Sequence, residues 1–417
     1  MKKRKQGGSP QGLPQLTRIE LTRKSLPLRI TLLVLALAIA VGAFIYGFNA
    51  LISSNAGWTE IKVSTGELNC SGDFVLNYYL GSGELSATEE NRQLVTLYTD
   101  AAVHAYRVFS NAYASDTLGN LAYVNAHPNQ QITVDPVLYE AFAAIQAAGN
   151  RSMYLAPAYA EYERLFPCEN EIDAKYFDPA RNPELMDYIT RVCRFGADPE
   201  MIDLELLGNN QVRLVVSDEY QQFVKDNDIG AFLDFSWMTN AFIADYIADI
   251  LVENGLTQGY LASRDGYTRN LCPKDTKFTL NVFHRVEKDI FVAGDMHYPG
   301  GRSIVQLRDF PVDASDRWRY YAFTDGRIAS TKLDPVTGTE KSAVSSLIGY
   351  SENKSCVDIL LSLAPVYLAD SLDTQALSSL TKQGIYCVYP QDKTVWYNES
   401  GLDLRLWENM NYSKELF

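Results

Sequence analysis

Hydrophobic and polar positions divide this chain into two unequal parts. Residues 30–52 form a run of 23 positions without a charge, enough at about 1.5 Å per residue to cross a hydrocarbon core of roughly 30 Å. Beyond it, apolar residues recur at helical spacing. They predict a helix over 89–111, with Leu94, Leu97, Ala101, Val103, Tyr106 and Val108 along it. A second is expected over 135–149, opened by Asp135 and Pro136, a third over 234–255 and a fourth over 355–370. Shorter runs predict strands at 73–81, 259–264, 278–286, 289–295, 303–310 and 319–323. A hairpin over 384–398 turns at Gln391, Asp392 and Lys393. Helices and antiparallel strands alternate irregularly, which predicts an α+β fold and not a doubly wound parallel sheet. With 47% hydrophobic residues and no repeat or low-complexity linker, the part beyond the apolar run is expected to form one compact unit.

Charge changes the picture by giving it a direction. Residues 1–29 carry eight Lys or Arg against Glu20, a net +7, so with −14 overall and a neutral apolar run, residues 53–417 hold −21. The expected organisation is a basic cytoplasmic arm (1–29), one transmembrane helix (30–52), a juxtamembrane segment (53–71) and an extracytoplasmic domain (72–417). The apolar run exceeds the core of a cleaved signal peptide, and no clean small-x-small site follows it. A surface this acidic does not seek nucleic acid or anionic lipid. An anionic ligand there needs a metal ion or a local basic group. All six cysteines, Cys70, Cys168, Cys193, Cys272, Cys356 and Cys387, follow the run. On the oxidising side at least one disulfide is expected, with the pairing open.

Several motifs fall in a telling order. The segment "SNAYASDTLGNLAYVN" (110–125) leads to Asn125, and "DFSWMTNAFIAD" holds Asp234 and Asp245 eleven residues apart. Asp265-Gly266 follows a strand; Asp325-Gly326 precedes "RIASTKLDPVTG"; Asp358 and Ser362 share a helix face. This series, over roughly residues 72 to 405, resembles the FAD:protein FMN transferase (ApbE-type) family, whose fold is T-fold-like. The family's central signature reads Asp-Leu-Gly-Gly-Ile-Ala-Lys-Gly-Tyr-Ala-x-Asp. Here its glycines and lysine are Ser236, Trp237 and Asn240, and the two histidines before Asp-Pro-x-Thr-Gly are Ser330 and Thr331.

The resemblance implies FAD as substrate, with Asp234, Ser236, Asn240, Asp265, Gly266, Asp334, Thr337 and Gly338 around it. It also implies a magnesium ion on Asp358 and Ser362, and transfer of FMN to a threonine or serine of an extracytoplasmic redox protein. Each residue also has a plainer reading. Asp234 is a good helix cap, Asp334–Gly338 a good turn, Asp358 a solvated helix residue, and Trp237 helix core. The missing imidazoles leave no evident base for the acceptor hydroxyl, a contribution usually worth about 10²–10⁴-fold. Two functions therefore stand: a membrane-anchored flavin transferase, weak if active, and a non-catalytic flavin-binding or scaffold descendant at the cell envelope. Protease added to intact cells should remove the bulk of the chain; a fully protected 53–417 region would contradict the topology.

Overall fold

The computed structural model describes residues 26–52 and 55–417. The basic arm, apart from its last four residues, lies outside them. Residues Leu26–Ile52 form a helix over the uncharged run. Its described side chains are those of 30–43. Among the described residues no helix is long and apolar enough to cross a membrane, so the span and its orientation remain expectations of the sequence. Asn55–Phe417 is a separate compact unit.

That unit is built on a nine-stranded sheet whose strands lie side by side in chain order. They are Gly57–Ile61, Phe74–Leu80, Gly259–Ser263, Tyr267–Asn270, Ser303–Arg308, Ser346–Ser351, Tyr386–Gln391, Thr394–Tyr397 and Ser413–Leu416. Neighbours pair antiparallel except the last two, which are parallel. The expected juxtamembrane segment thus supplies an edge strand. In the middle of the sheet Ser303–Arg308 and Ser346–Ser351 are buried at every position, as strands covered on both faces must be.

Each expected helix forms. Ala87–Phe109 opens on a capping box in which Ser86 and Glu89 satisfy each other's backbone N–H groups. Asp135 caps Pro136–Ala147. The 234–255 segment divides into a short tight turn, Ser236–Met238, and the helix Thr239–Glu253. That helix is buried nearly all round, with Ala241, Ile243, Ala244, Ile247, Ala248 and Leu251 inaccessible. The terminal hairpin turns through Asp392 and Lys393, both at positive φ, a geometry that suits the twist of its strands. A second small core, around Val282, Met296, Ile348, Val388 and Leu404, lies under the ribbon formed by Lys277–Val286 and Asp289–Pro299.

One buried carboxylate joins three elements. Asp245, on Thr239–Glu253, accepts hydrogen bonds from the N–H groups of Cys356 (2.9 Å) and Val357 (2.8 Å) at the start of the helix Cys356–Tyr367. It also pairs with Arg269 of the sheet at 2.6 Å. Arg269 makes a further ion pair with Asp249. Burial alone would depress the Arg269 guanidinium; the two aspartates outweigh it and hold it charged.

The expected disulfide is corrected here: all six cysteines are free. Cys193, Cys272, Cys356 and Cys387 are buried, and burial pushes the Cys193 and Cys387 thiols up to about 12. The Cys70 thiol donates to the Ala102 carbonyl, Cys168 to Arg164 and Cys356 to Thr268. These sulfurs are committed to separate elements.

Asp245→Ala should destabilise the protein by about 3 kcal/mol, because it strands Arg269 and uncaps a buried helix end. Denaturant unfolding measures this, and a loss below about 1 kcal/mol would contradict it.

Candidate functional site

A cavity of about 1150 Å³ opens where the Ser236–Met238 turn, the start of Thr239–Glu253, the Asp265-Gly266 turn and residues 314–319 converge. Among the expected flavin residues, Ser236, Asn240 and Asp265 line it, as does Thr331. The Asp265-Gly266 turn needs its glycine twice over. Its φ is +108°, and a Cβ would collide with the Gln306 carbonyl oxygen.

A hydrogen-bonded scaffold holds the Ser236 turn from behind. Asn125, buried, accepts from the N–H groups of Phe232 and Leu233 and donates to the Leu233 carbonyl and to Asn111. Asn111 in turn donates to Asp234 at 2.9 Å. Asp234 accepts the Ser236 N–H at 2.6 Å, so it does act as a turn cap. Ser236 keeps a left-handed backbone, φ 44°, a conformation that a glycine adopts without cost. Asn240, at the lysine position of the family's signature, donates to Asp265 at 3.0 Å. Burial pushes both Asp234 and Asp265 above the usual carboxylate range; hydrogen bonds to each carboxylate, and Arg319 beside Asp265, oppose it only in part.

Four cations face this space, Arg264, Arg317, Arg319 and Lys332, and the sequence reading named none of them. Arg319 pairs with Asp73 at 2.6 Å and approaches Asp265 at 3.9 Å. Lys332 is only 6% exposed and donates to the Arg308 carbonyl and to the Tyr320 hydroxyl, both neutral acceptors. Arg317 lies over the Trp318 ring. One signal was legible: in so acidic a chain, Arg317-Trp318-Arg319 is a local excess of positive charge.

Glu163 is the other unforeseen group. It faces the cavity and accepts the Ser236 hydroxyl at 2.8 Å. Desolvation first, then nearby Asp234, push it up to about 7, against the Ser236 hydrogen bond.

The remaining expected residues lie elsewhere. Asp334 accepts from the Val336 N–H and the Thr337 hydroxyl and pairs with Lys341. Those contacts overcome desolvation and hold its carboxyl low. Gly338 sits at φ +69°, where a Cβ would strike Ile189 and Cys193. The Asp334–Gly338 loop is thus a turn packed on the helix Pro183–Ala197, and none of its residues lines the cavity. Ser330 is buried, its N–H spent on Glu340 and its carbonyl on Tyr162. Asp325 is tied to Arg181 and held low by the Arg327 N–H and Arg181.

The structure lends the expected magnesium pair no support. Asp358 is exposed and caps its own helix, exchanging hydrogen bonds with Ser355. The Ser362 hydroxyl donates to the Asp358 carbonyl at 2.8 Å. Among the described residues no group of three or more His, Cys, Asp or Glu is gathered as a metal site requires. Both side chains are engaged with their own helix.

No family model matches the chain, and no curated protein matches its sequence. Solved structures do match. The ApbE protein of Thermotoga maritima superposes with a TM-score of 0.55 at 13% identity, over 85% of this chain and 98% of that one. The fold is ApbE-type. The flavin transferase ApbE of Vibrio cholerae gives 0.52 at 13% identity, over 85% and 99%. At such identities the ApbE likeness is one of architecture, and chemistry must be argued from the residues.

The Glu163 environment has a measurable consequence. The folded state holds its proton more tightly than an unfolded chain with the ordinary value of 4.5. Because Glu163 is solvent-exposed the associated stability is small; it is complete below about 4.5 and is lost as pH rises through about 7. Glu163→Gln should therefore lose less stability than wild type between about pH 5 and pH 8. Glu340, also pushed up to about 7 by burial, keeps part of the slope. Thermal unfolding at both pH values decides this, and parallel losses would contradict it.

Proposed function

We propose that this protein is an envelope-facing module anchored by its N-terminal helix, and that its cavity binds FAD. The observation that carries this reading is the placement of Arg264, Arg317, Arg319 and Lys332 around one cavity of dinucleotide size in a chain of net charge −14. A flavin dinucleotide carries a pyrophosphate. Guanidinium groups supply charge and paired donors to such an oxyanion, and burial strengthens both. The size of the cavity and the basic groups fit FAD; the acidic residues do not fit magnesium. Phosphate charge in this reading is met by side chains.

The cavity's own residues then divide the work. Arg317 and Arg319 bind the pyrophosphate. Asn240 and Asp265 fix the turn beneath it, and Trp237, only 6% exposed, narrows the space where the ApbE-type signature has glycine. Transfer of FMN to a hydroxyl on a separate redox protein is the finer possibility. It is slow or absent in this reading, because Ser330 is buried and Thr331 offers a hydroxyl where an imidazole would accept a proton. A flavin-binding or scaffold role follows more directly from these positions than rapid turnover.

FAD added to the purified full-length chain should bind, read by quenching of flavin fluorescence, with affinity falling as salt rises. Arg317→Ala should weaken binding about tenfold, the usual scale for one charge-assisted hydrogen bond. Binding of FAD that is insensitive to both changes would place the ligand elsewhere, and no binding would remove the reading.

A further inference from the structure

Trp58, Tyr79 and Leu85 are large apolar side chains left 50%, 43% and 44% exposed at one corner of the nine-stranded sheet. We propose that this corner is a lipid-docking surface, seated in the headgroup layer of the membrane that holds the N-terminal helix. The inference rests on the anchored reading above and goes beyond it, from a tether to a direct contact between the domain and lipid.

Strand alternation builds the patch. Leu76, Tyr78 and Leu80 of the strand Phe74–Leu80 are buried in the core, so Tyr79 and its register partner Trp58 stand on the opposite face. Their rings meet edge to face at 5.7 Å, and Trp58 also lies 6.1 Å from Tyr260 and 6.2 Å from Phe278. The ring surface therefore runs across three strands and the start of the ribbon. Glu60, which follows Trp58 on that face, has Lys62 beside it at 3.9 Å.

The chain enters the domain at this corner. Residues 53–56 alone separate the helix Leu26–Ile52 from Gly57, a reach of at most about 14 Å when extended. Ala56 lies beside Gly81, where an added Cβ would come within 3.0 Å of the alanine's own, and Gly81 opens the exposed loop 81–86 that carries Leu85. So short a tether gives these side chains a high effective concentration at the bilayer surface. Indole and phenol rings, apolar in body and polar at one end, favour that layer. Three exposed side chains fall short of the roughly 800 Å² per partner that a stable dimer uses. The −21 charge on residues 53–417 turns the domain away from anionic lipid, so the contact is one of uncharged rings with zwitterionic lipid.

The test reconstitutes the full-length chain in phosphatidylcholine vesicles, with and without lipid brominated on its acyl chains near the glycerol, whose bromines quench tryptophan only on contact. Of the five tryptophans, Trp58 is expected to carry the quenching. Trp58→Phe should abolish it, and Trp58→Tyr repeats the result should the first variant fail to fold. Trp407→Phe, which removes an equally exposed indole outside the patch, should leave the quenching whole. Wild-type emission untouched by the brominated lipid overturns the proposal and leaves the anchor standing. So does shielding of Trp58 from aqueous acrylamide that sets in only as protein density rises, the mark of a second copy on the patch. A chain that fails to float with the vesicles overturns the anchor and the docking surface together.

Discussion

The carboxylate of Asp245 is the point on which the arrangement turns. It binds two helix N–H groups and one guanidinium at once, so the buried helix Thr239–Glu253, the central sheet and Cys356–Tyr367 cannot shift independently. A free helix N-terminus is a natural place for a phosphate or carboxylate. Here that place is filled by a side chain of the protein's own, compensated by Arg269. The start of Cys356–Tyr367 is thereby closed as an anion site, and Asp358 and Ser362 serve the helix that bears them. Positive charge for a ligand is supplied in the cavity at the start of Thr239–Glu253, by Arg264, Arg317, Arg319 and Lys332.

The motif positions differ in what they do in this fold. Asp234, Asp245, Asp265, Gly266 and Gly338 hold turns and helix ends in place, and such tasks depend on backbone geometry. Asn240, Ser330 and Thr331 stand where the ApbE-type signature has lysine and histidine, and those tasks depend on a reacting ligand. What the cavity retains is a charged wall, a strained serine and a carboxylate with raised proton affinity.

Much of the fold was legible in the sequence because helix periodicity and caps act over a few residues. Ser86 with Glu89, Asp135 with Pro136, and Asp392 with Lys393 each fix local geometry. The region between 150 and 217 carried local signals that the sequence expectations did not use: Asn182 caps the amphipathic helix Pro183–Ala197 with Pro183 in its first turn, and Ile202–Gly208 pairs with Gln211–Val216 as a hairpin. The site was half legible. Ser236, Asn240 and Asp265 stood in recognisable motifs, whereas Glu163 meets Ser236 across 73 positions and Arg319 meets Asp73 across 246. Long-range pairs of that kind leave no mark on neighbouring residues. Asp358 and Ser362 misled for the opposite reason, since spacing of four is as good for a helix cap and a back-bonded hydroxyl as for a metal.

In the proposed reading, ligand charge is met in the cavity and not at the start of Cys356–Tyr367. Hydrogen exchange on the full-length chain, with and without FAD, tests this most directly, because backbone protection reports where a ligand stabilises the fold. The account predicts slowed exchange in 236–243, 264–267 and 314–319, with 355–362 unchanged. Protection confined to 355–362 and 334–338 would contradict it, and would return the anion to the helix end that Asp245 occupies here.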